Sequence, residues 1–243
     1  MNHYEMAGPK SWHTKLIETA RQRPEEAAGQ LFDLLGTQTQ HGEAVTLALD
    51  RNGCFPDRVQ VDPNNWHSGT TIETDRFRIL QVGLKLLSPQ ERSLILFDEA
   101  SFTPEAEVAY RFSHELTHHL VEDLAQKIPD AKELHSLLVQ KIKAARISTG
   151  KGFSTLGSLR VYAAQGVDMQ VIEDTVELCN MYIRSPEYLR KFLSFLSAPQ
   201  YEETRKQCKL VTLKDREAAD LLFDLVETLI QVCTTVEETP ATT

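Results

Sequence analysis

The chain is poor in cysteine. Four are spread over 243 residues (Cys54, Cys179, Cys208 and Cys233), and no Cys-x-x-Cys pair occurs. That spacing points to reduced thiols in a cytoplasm. Long apolar runs are also missing: none approaches the ~20 residues that a membrane span needs. The stretch from Met1 to Lys10 has no apolar segment of the kind a secretion signal carries. Positive charge is scarce, with 26 Lys and Arg against 35 Asp and Glu and a net charge of −9. Phosphate backbones need clustered cations, so nucleic acid is not an expected partner. Gly150-Lys151-Gly152 lacks the Gly-x-x-x-x-Gly-Lys-[Ser/Thr] pattern of a phosphate loop, and no strand feeds it. What remains is ordinary globular composition in a chain long enough for a sizeable core.

Against that background one stretch stands out, Arg111-Phe112-Ser113-His114-Glu115-Leu116-Thr117-His118. It contains His-Glu-x-x-His. Residues four apart share one face of an α-helix, so His114 and His118 can each offer a ring nitrogen to one metal ion. Glu115 stands one step round the helix, badly placed to be a ligand but able to reach a water in front of the metal. Zinc makes such a water acidic, and the glutamate moves the proton. The helix is signalled by Thr103-Pro104, an N-cap followed by proline at the first position. Val108, Ala109, Phe112, Leu116, Leu120 and Leu124 form an apolar stripe at helical spacing. The stripe is expected to face a sheet while the histidines face a cleft.

Before the motif, Ser11 to Gln22 and Glu25 to Leu35 read as two helices, broken at Arg23-Pro24 and stopped at Gly36. Strands are expected at Ala44 to Asp50, Arg58 to Val61, Thr70 to Thr74 and within Phe77 to Leu87. Ser93 to Phe97, an aliphatic run, reads as the best strand of all. After the motif, Pro129 to Glu133 reads as a capping box opening a helix to about Ile147, and Ser148 to Gly157 as a loop. Val167 to Arg184 reads as a helix, Ser185-Pro186 starts another, and Thr212 to Cys233 forms a long one with Asp215 in a capping box. Residues 1–40 are thus an N-terminal helical segment, 41–233 the main domain and 234–243 a polar, disordered tail.

A catalytic zinc site of this type has three protein ligands and an open position. A third histidine six residues beyond His118, after a glycine at the third, would mark a metzincin. Those positions hold Leu124 and Val121. Val171 to Asn180 is a better source, because it places Glu173, Asp174 and Glu177 in an otherwise apolar helix. Buried carboxylates are costly unless paired or bound to metal. Glu173 and Glu177 share a face, so one can ligate while the other accepts the spare N–H of a ligating histidine. For an oxyanion donor the residues to inspect are Tyr162, His135 and Tyr182. Cys54 could cap the open position in a latent form, or simply be a buried core cysteine.

His114-Glu115-x-x-His118 with Glu173-x-x-x-Glu177 resembles the gluzincin metallopeptidases, whose third ligand is a glutamate followed four positions later by an acidic or amide residue. More narrowly it resembles the ImmA/IrrE-like family. Arg111-Phe112 stand before the motif as they do there, and Glu173 and Pro186 keep the spacing of that family's second helix. Cys179 replaces a phenylalanine and Arg184 a leucine. The resemblance covers about Ser93 to Pro186 and implies that Glu173 ligates zinc while Glu177 supports a histidine. It also implies an α+β zincin-like fold, a small twisted sheet over the motif helix with a mostly helical C-terminal half. The function expected is a zinc-dependent metallopeptidase, with Glu115 as general base and a protein or peptide substrate. Family members cleave repressor proteins and often carry a helix-turn-helix module, of which no sign is found here. The alternative is a regulatory or binding protein with a structural zinc site, and a third reading is a non-peptidase zinc hydrolase.

Overall fold

The computed structural model describes residues 11–66, 68–74, 77–153 and 166–235. It opens with helices α1 (Trp12–Gln22), α2 (Pro24–Gln38) and α3 (Gly42–Arg51), then strands β1 (Arg58–Asp62), β2 (Gly69–Thr74) and β3 (Phe77–Gly83). Helix α4 (Pro89–Ile95) precedes the motif helix α5 (Pro104–His118), which continues into a π-helical turn (His119–Leu124) and a last short turn (Ala125–Lys127). Then come α6 (Pro129–Thr149), α7 (Val167–Arg184), α8 (Pro186–Ser197) and α9 (Arg216–Thr234). The protein is mostly helical with one small sheet, an α+β arrangement. The strand order is β1-β3-β2, with β1 parallel and β2 antiparallel to β3. Among the described residues, no helix is long and apolar enough to cross a membrane.

The motif helix begins as its sequence dictates. Thr103 caps it by accepting a hydrogen bond from the Ala106 amide at 3.2 Å, and Pro104 takes the first position, where no amide proton is needed. Val108, Ala109, Phe112, Leu116, Leu120 and Leu124 are all buried. Their main neighbour is α2 rather than the sheet. Phe112 meets the edge of the Phe32 ring at 5.2 Å between centroids, and the sheet touches α5 through β3. The opposite side of α5 packs on α7. Leu16, Leu31 and Leu35 of the first two helices belong to the same core as Phe112, Val176 and Val226.

Two expected strands are helices. Ala44 to Asp50 lies in α3, where Val45, Ala48 and Leu49 are buried at helical spacing and Leu47 is exposed, so the apparent alternation had no sheet to serve. Ser93 to Phe97 begins inside α4. Its aliphatic content is overridden by a capping box just upstream: Ser88 Oγ accepts from the Glu91 amide at 3.3 Å and Glu91 Oε2 from the Ser88 amide at 2.8 Å. The sheet is therefore confined to 58–83, within the expected 44 to 98. Conversely, α6 starts after Ile128 with no side-chain cap, and Asp215 caps α9 alone, through the Ala218 amide at 2.9 Å. Helix α2 passes through Gly36 to Gln38, and α6 runs to Thr149, where Gly150 (φ +66) ends it in the left-handed conformation that suits glycine.

One turn of α5 anchors the sheet. Glu107, fully buried, accepts a hydrogen bond from the Leu87 amide at 2.7 Å, and Arg111 donates to the Trp66 carbonyl. Leu87 follows β3 and Trp66 precedes β2, so both ends of that hairpin are tied to residues four apart on one helix. Burial lowers the Arg111 pKa to about 10, against the opposing pull of Glu107. Helix α6 is joined to α7 by a buried ion pair, Arg146 with Asp174. Removing one partner of such a pair leaves a charge without compensation and costs about 3–5 kcal/mol. Arg146→Ala should therefore lower the urea unfolding midpoint by a corresponding amount, whereas Arg146→Met with Asp174→Leu should restore most of the loss.

Candidate metal centre

The α5–α7 contact brings His114, His118 and Glu173 together, one potential ligand atom from each lying within 4.8 Å of the others. His114 Nε2 is 3.5 Å from Glu173 Oε2, and His118 Nε2 is 3.6 Å from Glu173 Oε1. These distances are too long for good hydrogen bonds. Indeed Glu173 Oε2 is buried and has no hydrogen-bond partner. They do match the spacing of ligands about one ion: bonds of ~2.0–2.1 Å in a tetrahedron place ligand atoms ~3.3–3.5 Å apart. The residues present fit a divalent cation that takes nitrogen and oxygen ligands.

The far side of each imidazole is held by a carboxylate. His114 Nδ1 lies 3.2 Å from Glu177 Oε2, and His118 Nδ1 lies 3.1 Å from Glu122 Oε1. A carboxylate there requires Nδ1 to carry the proton, which leaves the Nε2 lone pair facing Glu173 in the neutral ring. Glu177 is itself fixed, because Tyr110 donates its hydroxyl to Oε1 at 2.6 Å. Asn180 donates to the Tyr110 carbonyl at 3.2 Å and approaches Ser113 Oγ at 2.5 Å. Glu173, Asp174 and Glu177 are thus buried and engaged, and this acidic stretch is no solvated surface face.

Glu115 is half-buried on the turn between the two histidines. Its charge lies close enough to raise the pKa of both. Burial alone would lower the His118 pKa, but Glu122, Glu173 and Glu115 outweigh it and hold the ring up at about 9. His114 is likewise raised, burial again being outweighed by Glu173, Glu177 and Glu115. Glu173, despite a burial effect in the opposite direction, is held down at about 2 by the two imidazoles.

The other expected site residues stand apart. Tyr182 is half a helix away from Glu173, where its hydroxyl donates to Glu227 at 3.1 Å and its ring stacks on His41. His135 bonds Gln126 at 3.0 Å and does not belong to the metal-ligand group. Tyr162 lies outside the described residues, as does the tail from residue 236. Cys54 is a buried core residue with Sγ 3.6 Å from the Asn52 carbonyl, and it forms no cap on the centre. His119 is occupied by Asp123 at 2.9 Å, which also pairs with Arg78 of β3 at 2.6 Å. Glu122 and Tyr110 were not foreseen. Glu122 was findable as the residue four beyond His118, whereas Tyr110 had no local signal. No protein-family model, curated protein or solved structure matches the chain. The gluzincin resemblance therefore rests on the motif residues and their geometry alone.

The raised histidines set the pH behaviour of the metal-free protein. A histidine whose folded pKa exceeds its unfolded value contributes stability that is fully present below the unfolded value of 6.5 and is lost as pH rises through about 9. The melting temperature of the metal-free protein should fall over that window, and the fall should shrink in Glu173→Gln. The Glu173 contribution has the opposite sense: it is present above 4.5 and disappears only as pH drops towards about 2. Zinc uptake near pH 7.5 should accordingly release protons. Calorimetry in two buffers of different ionisation enthalpy measures this.

Proposed function

We propose that this protein is a zinc-dependent peptidase with a zincin-like fold. The observation that carries the reading is the ligand set: two Nε2 atoms and one buried carboxylate converge, and among the described residues no fourth His, Cys, Asp or Glu joins them. Three protein ligands suit a catalytic site, whereas structural zinc sites are closed by four protein ligands. A glutamate at position 115, not needed for a structural site, supports the same reading. The four free cysteines agree with a reducing cytoplasm.

In this reading His114, His118 and Glu173 hold zinc, while Glu177 and Glu122 keep the imidazoles turned with Nε2 inward. Bound zinc supplies a Lewis acid that polarises the scissile carbonyl and makes water acidic. Glu115 takes the proton of the attacking water and delivers it to the departing amine, the two halves of general acid–base catalysis. The substrate is a protein loop or peptide. Among the described residues β2 pairs with β3 alone, and its other edge would offer main-chain hydrogen bonds to hold an extended chain in register.

His118→Ala should abolish stoichiometric zinc, as read by metal analysis of the purified protein. Glu115→Gln should keep zinc and fold but lower hydrolysis by ~10²–10⁴-fold. Wild type, Glu115→Gln and chelator-treated wild type are incubated with cell extract, and new peptide termini are compared by mass spectrometry. Fragments unique to untreated wild type support the enzyme. Identical patterns in all three count against it, and a partner retained intact by both forms would favour the binding-protein alternative.

A further inference from the structure

The two histidines are held in different ways. Glu177, which holds His114, has a side chain 2 % exposed and is locked by Tyr110. Glu122, which holds His118, has a side chain 45 % exposed. It lies in the π-helical turn that begins one residue after His118. Single π turns inside α-helices cluster at functional sites. Here the turn carries the one carboxylate that reaches His118 Nδ1 at 3.1 Å.

We infer that Glu122 is a positioning residue: it fixes His118 as the Nδ1–H tautomer with Nε2 aimed at Glu173, and so completes a motif that runs His-Glu-x-x-His-x-x-x-Glu. The inference rests on the metal-site reading above and adds to it a residue outside the motif. Without the carboxylate, the His118 ring, with a side chain 21 % exposed, is free to rotate and to place its proton on Nε2. That form presents no lone pair to a metal. His114 has no such freedom, because Glu177 and Tyr110 are packed between α5 and α7. The two supporting carboxylates therefore do separable work: Glu177 serves both the core and the site, whereas Glu122, half-exposed on the π-helical turn, bonds His118.

The test uses the full chain with Glu122→Ala and Glu122→Gln. Zinc affinity is measured by competition with a chromophoric chelator; His118 tautomers by nitrogen-15 NMR and folding by thermal melting are both read on the metal-free protein at a pH above the raised His118 value of about 9, where the ring is neutral. Losing the outer partner of a ligating histidine typically costs ~10–100-fold in metal affinity. Glu122→Ala should show that loss together with a move of His118 towards Nε2–H, at an unchanged melting temperature. Glu122→Gln keeps an acceptor but not the charge, and should fall between. Equal zinc affinity in all three proteins overturns the inference and leaves the metal site standing. Weaker binding accompanied by lower melting in both variants also overturns it, by giving Glu122 a structural role. Wild type that binds no zinc removes the metal-site reading itself.

Discussion

Helix α7 buries three carboxylates within five residues, at 3 %, 0 % and 1 % exposure for Glu173, Asp174 and Glu177. Taking a carboxylate out of water is costly unless opposite charge or hydrogen-bond donors compensate it, and the packing around α7 follows from meeting that demand. Asp174 takes Arg146 from α6. Glu177 takes the Tyr110 hydroxyl and a His114 N–H. Glu173 has only two imidazoles at ion-pair distance, and one of its oxygens accepts no hydrogen bond. Two of the three are satisfied by the protein itself, and the third faces the two imidazoles.

The same seam sets how α5 lies on α7. Along one face of α7, Glu173, Glu177, Asn180 and Arg184 follow one another at helical spacing, and each engages α5 or the residues leading into it. Arg184 donates to the Ser101 carbonyl and hydroxyl and stacks between Phe102 and Tyr188, at 3.7 and 4.1 Å from the ring centroids. Asn180 holds the Tyr110 backbone. The helix is thus pinned near its start, at its middle and at the motif, so the histidines cannot slide relative to Glu173. Glu107 and Arg111 extend the arrangement to the sheet. A single helix therefore registers both the candidate metal ligands and the strands beside them.

What could be read from the sequence was what is local. Thr103-Pro104, the four-residue histidine spacing and the apolar stripe of α5 all act within a few turns of one helix, and all appear in the structure. The acidic helix was legible because three carboxylates among Val171, Val176 and Leu178 demand an explanation. The first expected strand failed because aliphatic alternation over a few residues also fits a helix buried on one side, as Val45, Ala48 and Leu49 show. The run at Ser93 failed because the Ser88–Glu91 capping box upstream opens a helix that carries into it. The ties from Arg111 to Trp66 and from Tyr110 to Glu177 span 45 and 67 residues, and no periodicity announces them. Glu122, four residues beyond His118, follows from the same helical spacing as the histidine pair.

The charge of the centre suits a cation. Four carboxylates (Glu115, Glu122, Glu173 and Glu177) surround two imidazoles. With neutral rings the group carries four negative charges, and a proton on each ring halves that. This is why burial, which alone would drive the protons off, loses to the carboxylates at both histidines. A divalent cation between neutral rings produces the same reduction as the two protons. Protons and metal are therefore alternative occupants of equal charge, and they differ in geometry. Two protons leave Glu173 Oε2 without a hydrogen bond at 3.5 Å, whereas one ion satisfies that oxygen and both Nε2 lone pairs at once. Two imidazoles with a single carboxylate also suit zinc better than magnesium or calcium, which prefer sets made wholly of oxygen.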